Sequence, residues 1–176
     1  MSSIAFVGIG GQGIVFAAEV LAEILFNHGY YVAQLQSYGA EVRGGSVLTY
    51  VVFDREPIDN PFIDSFDIVM VLHEGGLRRW CRYVEKSKLA IVDEDLVSYR
   101  RENALVYPIV KKSIEQKVHG AENIVAVGIA LKLFPIDIEL DRALEVLKGK
   151  RNVEKNVRAL KIGFEIGKEI AEKIKR

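Results

Sequence analysis

Apolar positions along the chain alternate between two periods. Ile4-Ala5-Phe6-Val7 is a continuous apolar run closed by Gly8, the pattern of a strand buried on both faces. Beyond Gly8-Ile9-Gly10-Gly11-Gln12-Gly13, residues Ile14, Ala17, Ala18, Leu21, Ile24, Leu25 and His28 recur at helical spacing, and Gly29 supplies a stop. Segments 30–37, 46–54, 68–72, 89–93 and 104–110 read as further strands, with a glycine-containing loop over 38–45. From Glu122 the pattern turns helical. A segment 123–134 stops at Pro135, a second runs from an Asp137 cap through Leu147 to Gly149, and a last one starts at Asn152. In that last helix Val153, Val157, Leu160, Phe164, Gly167, Ala171 and Ile174 form the expected apolar stripe. Buried strands alternating with helices predict an α/β fold in three layers. The expected sheet is Rossmann-like and mainly parallel, with helices on both faces and a helical C-terminal tail over one of them.

Composition narrows the functions. The 176 residues make one domain's worth of chain, with no linker or repeat, so 1–176 reads as a single domain. Lys plus Arg and Asp plus Glu are 24 each, so no net charge draws the chain to nucleic acid or to an anionic membrane. The start, Met1-Ser2-Ser3-Ile4, has no basic leader, and apolar runs fall short of a membrane span. The single cysteine, Cys81, cannot form an internal disulfide or hold an iron–sulfur cluster or structural zinc. A cytoplasmic protein is expected.

The candidate chemistry lies in two glycine loops. Gly8-x-Gly10-x-x-Gly13 joins a strand to an amphipathic helix, where the turn lets a phosphate approach the free N–H groups of the helix start. The same glycines would serve a tight turn without a ligand. NAD is disfavoured, because the acid that should hold a ribose hydroxyl after the second strand is absent: Gln34, Gln36 and Ser37 stand there, and no acid appears before Glu41. The second loop, Tyr38-Gly39-Ala40-Glu41-Val42-Arg43-Gly44-Gly45, is expected on the same sheet edge. Arg43 there could clamp a phosphate or carboxylate, or pair with Glu41 on an ordinary turn.

Other candidates read as structural. His73-Glu74 caps the helix that follows. Arg78-Arg79-Trp80-Cys81-Arg82 is a solvated helix face with Trp80 turned inward, and Cys81 has no neighbouring base to activate it. His28 suits a helix C-terminus as a cation, and His119 has no assigned role.

The two loops together, 25 residues apart from Gly13 to Tyr38, resemble the gamma subunit of the 2-oxoacid:ferredoxin oxidoreductases, which act on pyruvate, 2-oxoglutarate, branched-chain 2-oxoacids or indolepyruvate. The likeness continues through Glu56-Pro57-Ile58, the segment from Asn123 to Ala130, Pro135, Asn156 and Gly163, and so covers nearly the whole chain. The resemblance implies an assembly that oxidatively decarboxylates a 2-oxoacid on thiamine diphosphate, reduces ferredoxin through iron–sulfur clusters and forms an acyl-CoA. Thiamine diphosphate, magnesium and the clusters are expected on partner alpha and beta subunits, with a delta subunit in some assemblies, and this chain is not expected to be active alone. No catalytic or metal-ligating residue is assigned to it. Its expected share is architecture and part of a coenzyme A site formed by Gly8, Gly10, Gly11, Gln12, Gly13, Tyr38, Glu41, Arg43, Gly44 and Gly45. Two alternatives stand beside this: a free-standing nucleotide-dependent oxidoreductase, and a purely structural subunit. An isolated chain could also pair with itself through surfaces that partners cover.

Overall fold

The computed structural model describes residues 1–39 and 44–174. Its elements are β1 (Ser2–Ile9), α1 (Ile14–Asn27), β2 (Tyr31–Tyr38), β3 (Ser46–Asp54), β4 (Ile68–Val71), α2 (Glu74–Lys86), β5 (Leu89–Asp93), β6 (Ala104–Tyr107), α3 (Ile109–Glu115), α4 (Glu122–Leu133), α5 (Leu140–Glu145) and α6 (Val153–Ile174). One six-stranded sheet runs β2-β3-β1-β4-β5-β6. β1, β4, β5 and β6 are parallel neighbours, while β3 is antiparallel to both β1 and β2. Five strands therefore share one direction and β3 alone is reversed. The reversal follows from the short link between β2 and β3, since a connection of a few residues can only return the chain antiparallel.

The sheet separates two cores. On one face Ile4, Phe6, Val51 and Met70 pack under α1, α4 and α6, with Ile109 of α3 and Ala143 of α5 in the same cluster. On the other, Ala5, Val7, Val69 and Val92 pack against Leu77, Trp80 and Val84 of α2. The central strands are apolar on both sides because both sides are covered. The C-terminal helices gather on one face, as their pattern predicts.

Three local readings change. The expected sixth strand ends at Tyr107, not Val110, because Pro108 cannot donate to the ladder and its fixed φ begins α3. Asp137 does not cap a long helix. Residues 136–139 stay outside any helix, Ile136 and Ile138 pack against the core, and the short α5 begins at Leu140 after an extended Glu139. Asn152 does precede α6, its carbonyl accepting the Asn156 N–H at 3.0 Å, but the buried stripe of that helix is rotated from expectation. Leu160, Phe164 and Gly167 are buried as expected, but Asn156, Gly163 and Ile170 join them on the inward face, whereas Ile174 is exposed. Small residues set that face. A Cβ on Gly128 would lie 2.5 Å from the Leu160 carbonyl oxygen and 2.8 Å from the Gly163 Cα, so α4 and α6 cross backbone to backbone. No described helix is long and apolar enough to cross a membrane.

Candidate functional site

The first glycine loop is built by close approach. Gly8 lies between two helix starts: a Cβ there would meet Gln12 Oε1 and Ile14 Cδ1 at 2.6 Å, and a Cβ on Gly76 of α2 would lie 2.5 Å from the Gly8 carbonyl oxygen. Packing thus accounts for the absence of a side chain at Gly8. Gly11 and Gly13 adopt φ of 91° and 68°, the left-handed region that favours glycine. Gln12 is turned into the loop, its Oε1 accepting from the Ile9 N–H at 3.0 Å and its Nε2 donating to the Leu72 carbonyl at 3.4 Å. The second loop meets the first at Gly10, whose N–H donates to the Gly45 carbonyl at 2.8 Å. The β1–β3 register, Ile9 opposite Ser46, brings both loops to one sheet edge as expected. Gly44 is also left-handed at φ 65°, and Tyr38 is exposed at the end of β2. Glu41 and Arg43 lie outside the described residues.

Gly13 caps α1, and the first turn of that helix holds no acidic residue. The N–H groups of Ile14, Val15 and Phe16 have no acceptor within the helix, and together with the positive end of its dipole they favour an anion. This end opens on a cleft of about 450 Å³ between the glycine loop and a far wall of His119, Gly120, Glu122 and Asn123, floored by Leu72, Leu96 and Val110. The far wall was not read as part of a site from sequence. Asn123 is buried, and its Nδ2 donates across the cleft base to the Gly13 carbonyl at 2.9 Å, 110 residues away. Glu122 accepts from His119 Nδ1 at 2.6 Å and from the Gly120 N–H at 2.9 Å. A larger hollow beside Phe62, Asp67 and Lys88 lies at the opposite sheet edge, away from the carboxyl ends where ligands of such sheets bind.

The remaining candidates are structural, as expected. His73 Nδ1 accepts from the Gly75 N–H at 3.0 Å and caps α2. Glu74 accepts from the N–H and Oγ of Ser98, and the Ser98 N–H is the main reason its carboxyl lies below its ordinary range. Trp80 is buried, while Arg78, Arg79 and Arg82 are exposed. Burial, followed by the hydrogen bond to Glu85, pushes the Cys81 thiol upward, which keeps it protonated and unreactive. His28 stands at the C-terminus of α1 as expected; its Nδ1 bonds the Ile24 carbonyl at 2.7 Å and its Nε2 contacts the Glu139 N–H at 3.3 Å. Among the described residues no cluster of three His, Cys, Asp or Glu side chains is arranged to hold a metal.

The fold is an α/β sheet with a glycine turn and an open helix start at its carboxyl edge, a backbone geometry that suits an anion. The geometry argues against a dinucleotide fold in particular. With β3 inserted between β1 and β2, the end of β2 stands two strand spacings from β1, about 10 Å, where the ribose-binding acid of that fold needs one.

Residues 3–166 match the family described as pyruvate ferredoxin/flavodoxin oxidoreductase. The chain is 33% identical to 2-oxoglutarate synthase subunit KorC of Archaeoglobus fulgidus, over 96% of this chain and 89% of that one. It is 32% identical to the common gamma subunit of the pyruvate/ketoisovalerate oxidoreductases of Thermococcus litoralis, over 72% and 81%. It superposes on the gamma subunit of a keto/oxoacid ferredoxin oxidoreductase from Geobacter sulfurreducens with a TM-score of 0.78 at 25% identity, covering 96% of this chain and 99% of that one. A 2-oxoglutarate:ferredoxin oxidoreductase from Magnetococcus marinus shares the fold at a TM-score of 0.79 and 22% identity, over 96% of this chain and 31% of that one. The chain belongs to the pyruvate ferredoxin/flavodoxin oxidoreductase family. It is a gamma-type subunit of a multisubunit 2-oxoacid:ferredoxin oxidoreductase.

Proposed function

We propose that this subunit holds part of the coenzyme A site of its enzyme, seating the coenzyme's phosphates on the glycine loop and the start of α1. The observation that carries the reading is the cleft itself: Gly11 and Gly13 in left-handed geometry, an α1 start without acidic residues, and Asn123 fixing Gly13 from the far wall. The Magnetococcus marinus structure has 2-oxoglutarate, coenzyme A and succinyl-CoA bound, which supports a coenzyme role for enzymes of this fold. Within the site, Gly10, Gly11 and Gly13 bring backbone to the phosphates. Gln12 keeps the loop closed, and Gly8 provides the space in which α1 and α2 start. The second loop, with Tyr38, Glu41, Arg43, Gly44 and Gly45, adds the cation. Arg43 is suited to phosphate because its guanidinium donates bidentately.

Partner alpha and beta subunits, and a delta subunit in some assemblies, would supply thiamine diphosphate, magnesium and the iron–sulfur clusters; one cysteine cannot ligate a cluster. The 2-oxoacid is set by those partners. The gamma subunit of Thermococcus litoralis is named as common to pyruvate and ketoisovalerate oxidoreductases, which supports placing substrate choice mainly on the partners. A cytoplasmic enzyme fits this chemistry.

The test is steady-state kinetics of the reconstituted enzyme carrying Gly13→Ala or Arg43→Ala. A rise in KM for coenzyme A with unchanged KM for the 2-oxoacid is expected. Impaired assembly with unchanged coenzyme A dependence would instead make the chain a purely structural subunit.

A further inference from the structure

Phosphate at the glycine loop calls for positive charge, and the described lining of the cleft contains no Lys or Arg. Among the described lining residues, His119 is the group that can become cationic, on the wall opposite the glycine loop. Its position is fixed from two sides. Nδ1 is 2.6 Å from Glu122 Oε1, and the His119 carbonyl accepts from Lys155 Nζ of α6 at 3.0 Å. The Glu122 carboxylate is largely shielded, with 18% of its side chain exposed, whereas 69% of the His119 side chain is exposed. With Nδ1 committed to Glu122, Nε2 is the nitrogen with no protein partner among the described residues.

We infer that His119 is a phosphate-binding residue of the cleft and that it takes up a proton when the ligand binds. This rests on the reading of the cleft as part of a coenzyme A site. The Nδ1–H bond to Glu122 persists, Nε2 gains a proton from solvent, and the new N–H donates to a phosphate oxygen. The charged groups placed against His119 are Glu122 of α4, which favours the imidazolium, and Lys155 of α6, bonded to the His119 carbonyl, which disfavours it. An arriving phosphate adds a negative charge that favours the imidazolium. The sign follows: the protonated form binds the anion more tightly, so affinity rises as pH falls through the imidazole range.

The experiment is calorimetric titration of the reconstituted enzyme with coenzyme A, in buffers of different ionisation enthalpy, for wild type, His119→Gln and His119→Lys. Wild type should take up a fraction of a proton near neutral pH. His119→Gln should bind about tenfold more weakly, as expected for loss of one charge-assisted hydrogen bond, with no proton uptake. His119→Lys, charged throughout, should restore affinity but not proton uptake. Wild-type affinity and unchanged proton uptake in His119→Gln would overturn the inference while leaving the coenzyme A site in place. Coenzyme A affinity indifferent to Gly13→Ala would instead remove the site from this cleft, and the role of His119 with it.

Discussion

Asn123 donates from Nδ2 to the carbonyl oxygen of Gly13 at 2.9 Å, and the same oxygen accepts the Ala17 N–H that begins α1, also at 2.9 Å. One carbonyl thus registers the start of α4 against the start of α1, and the cleft between them keeps its shape through that bond. Asn123→Ala should cost about 1–2 kcal/mol of stability in urea unfolding, the usual effect of losing a buried hydrogen bond. In the assembled enzyme it should also raise the KM for coenzyme A.

Gly13→Ala should cost more. The new Cβ would lie 2.5 Å from Asn123 Nδ2, at a residue whose φ is +68°. Left-handed geometry alone costs roughly 1–2 kcal/mol for a residue with a Cβ, and the clash adds to it. The two changes should not be additive. Gly13→Ala combined with Asn123→Ala removes the clashing amide, so the double variant should be more stable than the sum of the singles predicts, measured as a double-mutant cycle in urea.

The crossing of α4 and α6 gives a prediction about stability alone. A Cβ on Gly163 would run into the Val125 carbonyl oxygen and lie 2.9 Å from the Gly128 Cα. These are backbone atoms that cannot rotate away, so the helices must separate. Gly163→Ala should lower stability by about 3 kcal/mol, the upper range for overpacking, and read out as a lower urea midpoint. Gly149→Ala is the control, because a Cβ there meets nothing within 4 Å.

Glu74 contributes to the acid limb of stability. Its carboxyl lies below the ordinary range first because the Ser98 N–H donates to it, then through the Ser98 hydroxyl and Arg78, with burial opposing. A folded value below the unfolded one means stabilisation that is present above the ordinary carboxylate range. It is lost as pH falls through the folded value. Glu74→Gln should therefore cost about 0.5–1 kcal/mol at neutral pH, the worth of an acid in the first turn of a helix, and almost nothing at strongly acid pH. Urea midpoints across the acid range would show the two curves converging.

Local signals were legible in the chain. The run Ile4 to Val7, the glycine loop and the apolar face of α1 each reside within a few residues, so their periodicity predicts the elements. Pairing the two glycine loops also revealed the family, because both are contiguous motifs. The rotated stripe of α6 shows where that logic fails. Val153 looks like core and Asn156 and Gly163 look like surface on an apolarity scale, yet Asn156 and Gly163 lie on the buried face, because at a close helix crossing room for backbone outweighs apolar surface.

The sequence by itself determined the layered α/β plan, the bounds of α1 between Gly13 and Gly29, and the loop on which a phosphate could rest, since these depend on contacts between near neighbours. Only the tertiary structure decided that β3 lies reversed between β2 and β1, which moves the end of β2 away from β1. It also decided that Asn123, Glu122 and His119 form the other side of the cleft. Strand order and the meeting of segments 110 residues apart depend on which apolar faces bury one another, and that is a property of the whole packed core.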